Sequence, residues 1–160
     1  MKKAVIFDID GVLAEKSPER DYKEYNKVGL DTPVFEIFQL LEMYIKEDYE
    51  IFWITERKEL CRKKTIYFLY TNMSETNSAL VFKYMLHHSI EFRNFAIKKS
   101  ISNSLFMRAD NDHRKAVVLK KEIYDNHIKG KYDVVACFDD DPEICEMYKN
   151  EGLLVFEVKR

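Results

Sequence analysis

The sequence predicts an α/β fold, a Rossmann-like three-layer sandwich around a five-stranded parallel sheet. Two observations carry this. Five short apolar runs are continuous rather than alternating, as strands covered on both faces require. Between them lie segments whose apolar residues recur at helical spacing, the βαβ alternation of a parallel sheet.

Ala4–Phe7 is the first strand and ends in Asp8-Ile9-Asp10-Gly11. Ala14–Asp31 is a polar stretch with Pro18 and Gly29, read as a flap. Thr32-Pro33 then opens a helix, with Pro at its first position. Its apolar residues Val34, Ile37, Phe38, Leu41 and Ile45 share one face. Tyr49–Ile54 is the second strand, followed by Thr55-Glu56-Arg57. Lys58–Tyr70 reads as a basic amphipathic helix. Thr71–Ser104 exceeds a simple crossover and is read as an insertion, with a helix near Ala79–His88. Leu105–Met107 is the third strand. Asp112–Asn126 is a helix N-capped by Asp110 or Asp112. Asp133–Phe138 is the fourth strand, ending in Asp139-Asp140-Asp141. Pro142–Asn150 is a short helix capped by Asp141, and Leu153–Val158 is the fifth strand. With no internal repeat or low-complexity tract, residues 1–160 read as one domain with a minimal cap.

Composition bounds the function. With 26 Lys+Arg against 28 Asp+Glu the net charge is −2. That excludes a tail-driven nucleic-acid binder but leaves room for a local basic groove. A 46 % hydrophobic content with only 4 Gly and 3 Pro is that of a globular chain, not a disordered one. Cys61, Cys137 and Cys145 show neither CxxC nor zinc-ligand spacing, so they read as reduced, partly buried thiols. The apolar run after Lys3 stops at Asp8, too short for a signal peptide, and no stretch approaches the roughly 20 apolar residues of a membrane span. A cytoplasmic location is expected, with no membrane partner.

Ligands of open parallel sheets bind beyond the carboxyl ends of the strands. That edge would gather Asp8 and Asp10, then Thr55 and Arg57, then Asp112, Arg114 and Lys115, and finally Asp139 and Asp140. Four carboxylates in a small volume repel one another unless a cation lies among them. An all-oxygen set without His or Cys suits a hard cation, Mg²⁺. Thr55, Arg57 and Lys115 add donors for an anion, and cation plus donors suits a phosphoryl group. A carboxylate can also serve as nucleophile in such a site.

These residues resemble, in chain order, the four motifs of the haloacid dehalogenase (HAD) superfamily of phosphatases. Asp8-Ile9-Asp10-Gly11-Val12-Leu13 matches the first, Thr55 the second, Lys115 the third and Asp139-Asp140 the fourth. A closer resemblance is to the 3′-phosphatase domain of phage-type polynucleotide kinase-phosphatases. Thr55-Glu56-Arg57 stands where that family has Ser-Gly-Arg. Asp112-His113-Arg114-Lys115 is similar to its Asp-Thr-Arg-Lys helix, and Phe138-Asp139-Asp140 with Glu146-Met147-Tyr148 to its Asp-Asp turn and following helix. The chain departs from the pattern at Val12 (for Thr) and Glu56 (for Gly), in a longer 71–104 segment, and at Arg20, offset from the family's flap arginine.

The resemblance implies a HAD-like fold and Mg²⁺-dependent removal of 3′-phosphate from DNA or RNA ends. Asp8 would carry the phosphate, and Asp10 would act as acid and then base. Thr55 would bond a phosphate oxygen, and Lys115 would neutralise the phosphate and Asp8. Asp8, Asp10, Asp139 and Asp140 would hold Mg²⁺. Arg57, Arg20, Asp112 and Arg114 would meet substrate, with Asp112 either orienting Lys115 or capping its helix. Arg62, Lys63 and Lys64, together with Arg20, could line a groove for a nucleic-acid end. Trp53 reads as core, and His87 and His88 as ordinary surface residues. A 5′(3′)-nucleotidase acting on nucleotides is the alternative, but the small cap favours a site open to a polymer end. A non-catalytic binding module would lack Asp8, Asp10 or Lys115, and all three are present. There is no GxxxxGK[ST] loop, so a kinase or ligase step would fall to a separate protein.

Overall fold

The computed structural model of the chain describes residues 1–21, 23–75 and 90–159. The helix expected near Ala79–His88 lies outside them, as do His87 and His88. Strands are β1 (Lys2–Phe7), β2 (Ala14–Glu15), β3 (Thr32–Pro33), β4 (Glu50–Lys58), β5 (Leu105–Arg108), β6 (Tyr132–Asp139) and β7 (Val155–Glu157). Helices are α1 (Phe35–Lys46), α2 (Arg62–Glu75), α3 (Ile90–Ser104), α4 (Ala116–Ile123) and α5 (Pro142–Asn150). A 3₁₀ turn covers Tyr25–Leu30, and a π-helical turn, Tyr124–Ile128, extends α4.

The main sheet is parallel, in the order β5-β4-β1-β6-β7. Alternate β1 residues go to opposite faces, as a strand's period of two requires. Val5 and Phe7 join Phe38, Leu41, Phe68 and Leu69 on the face covered by α1 and α2. Ala4 and Ile6 join Leu119, Ile123, Ile144 and Tyr148 on the face covered by α4 and α5. Both faces are dry, which is why these strands read as unbroken apolar runs. Phe7, Phe138 and Phe156 sit opposite one another on β1, β6 and β7. Their rings stack with centroids 4.7 and 4.9 Å apart. Cys61, Cys137 and Cys145 are all buried free thiols. Among the described residues no helix is long and apolar enough to cross a membrane.

Several boundaries differ from the sequence reading. Thr32-Pro33 does not open the helix; it pairs antiparallel with Ala14-Glu15. A residue before proline is held extended, and the Val34 N–H continues the pairing by donating to the Leu13 carbonyl at 2.9 Å, so α1 starts at Phe35. β4 runs on through Thr55-Glu56-Arg57 because Lys58 pairs with Arg108 of β5, which delays α2 to Arg62. α4 starts at Ala116 rather than Asp112. The Lys58 ammonium donates to the carbonyls of Asp110 (2.7 Å) and Asp112 (2.9 Å), and Arg108 to that of Arg114 (2.6 Å). Those carbonyls are drawn into a loop before a helix can use them. Neither Asp110 nor Asp112 caps α4, whose N-cap position is Lys115. Asp141 does cap α5, accepting from the Glu143 N–H at 2.8 Å.

Phe138 is the middle ring of the aromatic stack, so Phe138→Ala should cost about 3–5 kcal/mol. Urea unfolding followed by far-UV circular dichroism measures this. A loss below about 1 kcal/mol would mean that the sheet does not depend on the stack.

Candidate active site

Parallel pairing of β1 with β4 and β6 sets the catalytic edge. Asp8 follows β1 and Asp139 ends β6, next to it; the Asp8 N–H donates to the Phe138 carbonyl at 2.9 Å. Thr55 lies at the corresponding end of β4. These residues line a cavity of about 430 Å³ with Asp10, Arg20, Lys23, Tyr25, Glu56, Arg57, Lys120 and Asp139–Asp141.

The lysine of this site is Lys120, not Lys115. The Lys120 ammonium lies 2.6 Å from Asp8 Oδ1 and 2.7 Å from Asp139 Oδ2, and its side chain is 2 % exposed. Lys115 is 76 % exposed and pairs with Glu143 at 3.5 Å. Five residues turn a helix by about 500°, so the two lysines point some 140° apart and only one can face the edge. Helix side chains also lean toward the N-terminus. A lysine in the second turn therefore reaches back to the strand ends, whereas one at the N-cap position projects past them. A signal for Lys120 was present in the sequence. It sits four residues after Ala116 and three before Ile123, on the stripe that packs against the sheet. A lysine in an apolar stripe needs a buried partner.

Asp8, Asp139 and Asp140 bring carboxylate oxygens within 4.8 Å of one another. Three ionised carboxylates against the one ammonium leave a charge of −2, which one divalent cation balances. The donors are all oxygen, as a hard cation prefers. This set could hold a divalent metal ion. The Asp10 carboxylate stands outside it, so of the four metal residues read from the sequence the structure clusters three. Gly11 permits the approach of Asp140. Its φ is +83°, and a Cβ there would lie 2.1 Å from Asp140 Oδ2. Burial pushes Asp8 well above the usual carboxylate range, Lys120 opposes this, and Asp139 and Asp10 reinforce it. Burial and Asp139 also raise Asp140.

A second cluster stands beside the first. Arg57 donates from Nε to Asp10 Oδ2 and from Nη2 to Asp10 Oδ1, both at 2.8 Å. Arg20 donates to Asp10 Oδ1 at 3.1 Å, so the flap arginine reaches the site despite its offset in sequence. Both arginines are anchored by Asp31, which the sequence reading missed. Its side chain is 0 % exposed, and it accepts from Arg20 Nε (2.6 Å), Arg20 Nη2 (2.7 Å) and Arg57 Nη2 (2.7 Å). It also accepts from the Ser17 N–H at 3.0 Å, which ties the two ends of the flap together. Its only signal was its place between the flap and the Thr32-Pro33 strand. Burial alone would raise Asp10, but the Arg57 hydrogen bonds and the charges of Arg57 and Arg20 outweigh it and hold Asp10 below the usual range. Arg57 Nη1 is buried with no acceptor among the described residues.

Three residues read as substrate contacts or their neighbours stand elsewhere. Asp112 and Arg114 do not line the cavity; they pair with each other at 2.7 Å, and Arg114 also pairs with Glu122. Arg108 joins this group through the Arg114 carbonyl (2.6 Å) and Asp112 (3.7 Å), and also pairs with Glu56 at 2.9 Å. The Asp112 carboxylate accepts from the Arg114 N–H and so shapes the loop before α4, rather than orienting Lys115. Arg62 turns away, bound to Glu59 at 2.6 Å and to the Leu105 carbonyl at 3.1 Å. Trp53 is buried in the sheet core, as expected.

This sheet and its acidic edge place the chain among HAD-type phosphatases, which are hydrolases. More narrowly, it belongs to the polynucleotide kinase PNKP phosphatase domain family, whose model matches residues 2–160. A relative from Autographa californica nuclear polyhedrosis virus, whose assigned name is that of a bifunctional polynucleotide kinase/RNA ligase, is 29 % identical over 160 residues. The match covers 99 % of this chain and 20 % of the viral protein. A chain of the Pnkp1/Rnl/Hen1 complex superposes with a TM-score of 0.71 at 26 % identity, over 99 % of this chain and 46 % of that one. The class C acid phosphatase of Bacillus anthracis shares the fold, with a TM-score of 0.57 at 10 % identity, over 98 % of this chain and 67 % of that one. This chain thus spans about a fifth of the viral relative and under half of the Pnkp1/Rnl/Hen1 chain.

Lys120→Met should leave two buried carboxylates facing each other and cost about 3–5 kcal/mol. Lys115→Met should change nothing measurable. Urea unfolding and phosphate release, measured on both variants, separate the two positions; equal losses would contradict the assignment to Lys120.

Proposed function

We propose that the chain is a Mg²⁺-dependent polynucleotide 3′-phosphatase working through an aspartyl-phosphate. The observation that carries this is the placement of Asp8, held between Lys120 and the sheet edge and facing a cavity whose other wall is the Arg57–Arg20 pair. Family membership supports a nucleic-acid end as the substrate.

Asp8 attacks phosphorus, and the bond from phosphorus to the ester oxygen breaks in line. The leaving oxygen takes a proton from Asp10. A water then attacks the phosphorus and gives its proton to Asp10, and the phosphate leaves Asp8. In the resting site Asp10 is clamped by Arg57, which suits a base but not an acid. A phosphate dianion entering the cavity competes for both arginines, and that exchange releases Asp10 to carry a proton. Thr55 bonds a phosphate oxygen, and Lys120 opposes the burial that favours the protonated form of Asp8. Asp8, Asp139 and Asp140 would hold Mg²⁺, which offsets the charge that develops on the transferring group. Arg57, with its bidentate fork, grips the phosphate. Kinase and ligase steps are assigned to protein outside this chain, and the protein is assigned to the cytoplasm.

The test compares a 3′-phosphorylated oligonucleotide, a 5′-phosphorylated one and nucleoside monophosphates, with released phosphate as the readout and EDTA as the control. Preferential release from the 3′ end, abolished by EDTA, is expected; preference for mononucleotides would favour the nucleotidase reading instead. Asp8→Asn should fold normally and release no phosphate, and normal turnover by that variant would overturn the covalent mechanism.

A further inference from the structure

A second cavity, of about 610 Å³, lies across the 3₁₀ turn from the first. The turn is the wall between them: Tyr25 lines the first cavity and Asn26 the second. The second lining sets three lysines and the rings of Tyr67 and Phe68 beside apolar Leu30 and Pro33. Lys27, Lys63 and Lys64 stand on it, and its one carboxylate, Asp31, is already held by Arg20 and Arg57. Lys27 pairs with Glu24 at 2.8 Å. Lys64 donates to the Asn26 carbonyl, which leaves its charge uncompensated. Lys63 and Lys64 pair with no carboxylate among the described residues. Tyr67 is 61 % exposed on the same surface. On a chain of net charge −2 this concentration of cations beside an aromatic ring is local, not a property of the whole surface.

On the β6 side the first cavity is bounded by Asp139, Asp140 and Asp141. On the β4 side it is bounded by Glu56 and Arg57, beyond which lie the Lys63 and Lys64 positions of α2. Lys63 and Lys64, whose charges no carboxylate balances among the described residues, attract a polyanion whose terminal phosphate sits beside Asp8. From this we infer that the cleft between the 3₁₀ turn and α2 holds the nucleotides preceding the 3′ end of a single strand. Lys63 and Lys64 meet backbone phosphates, and Tyr67 stacks on a base. Such contacts position a strand and do not read its sequence. The inference rests on the 3′-phosphatase reading, because it takes the strand to arrive end-first at Asp8.

The experiment is fluorescence anisotropy of a 5′-labelled single-stranded octanucleotide carrying a 3′-hydroxyl, titrated with the protein at several salt concentrations. The proteins are wild type, Lys63→Glu/Lys64→Glu, Tyr67→Ala, Tyr67→Phe and, on a remote surface, Lys131→Glu. The double charge reversal should weaken binding tenfold or more and flatten the salt dependence by roughly 0.7 in log–log slope for each phosphate that is no longer neutralised. Tyr67→Ala should weaken binding roughly fivefold or more. Tyr67→Phe, which keeps the ring, should restore it, and Lys131→Glu should match wild type. Wild type that does not bind the strand, or binding left intact by both the lysine and the Tyr67→Ala variants, or an equal loss from Lys131→Glu, would overturn the inference. Phosphate release from a 3′-phosphorylated octamer by wild type, measured separately, shows whether the underlying phosphatase reading stands when the cleft assignment fails.

Discussion

The buried ion triad of Asp8, Lys120 and Asp139 is the interaction on which the rest of the edge depends. Parallel pairing puts the two carboxylates side by side at the ends of β1 and β6, with only a few ångströms for a counter-charge. Their repulsion would open the edge if nothing lay between them. α4 supplies that counter-charge while packing Leu119 and Ile123 on the sheet. Burying three charges is costly, and an apolar triad of similar volume could be at least as stable. Such a triad would leave no carboxylate poised to attack, so its retention is best understood through the proposed chemistry.

A second ionic group, built from Arg57, Arg20, Asp10 and Asp31, serves a different end. Asp31 is fully enclosed, and its bonds hold the flap against the end of β4. It fixes the two guanidinium groups while leaving them within reach of the cavity. Asp10 is the variable member: it is partly exposed, and its bonds to both arginines are ones a phosphate could replace. In the proposed mechanism one cluster would hold the attacking group and the other the group attacked, each against its own buried aspartate.

Much of the architecture was legible because it rests on short-range rules. Continuous apolar runs marked the strands, and the acids after the first and fourth runs fell at the predicted edge. What escaped depended on tertiary contacts. Thr32-Pro33 reads as a helix start until Ala14-Glu15 arrives to pair with it. Asp112 looks like a cap until Lys58 draws the adjacent carbonyls into a loop. Lys115 matches the family's third motif inside a helix read as starting at Asp112, but α4 starts at Ala116, which leaves Lys115 exposed while Lys120 faces Asp8 and Asp139. Asp31 carries no local pattern, and its importance appears only when two arginines from separate segments converge on it.

The central claim is that Asp8, held by Lys120 at the end of β1, becomes phosphorylated. The most direct measurement is acid quenching during turnover of p-nitrophenyl phosphate by an Asp10→Asn variant, followed by peptide mass spectrometry. This substrate needs little help from a general acid to leave, so phosphorylation should proceed while hydrolysis is slowed. The account predicts phosphate on the peptide that contains Asp8 and on no other. Phosphate release without any phosphorylated peptide, or a label on a different residue, would contradict it.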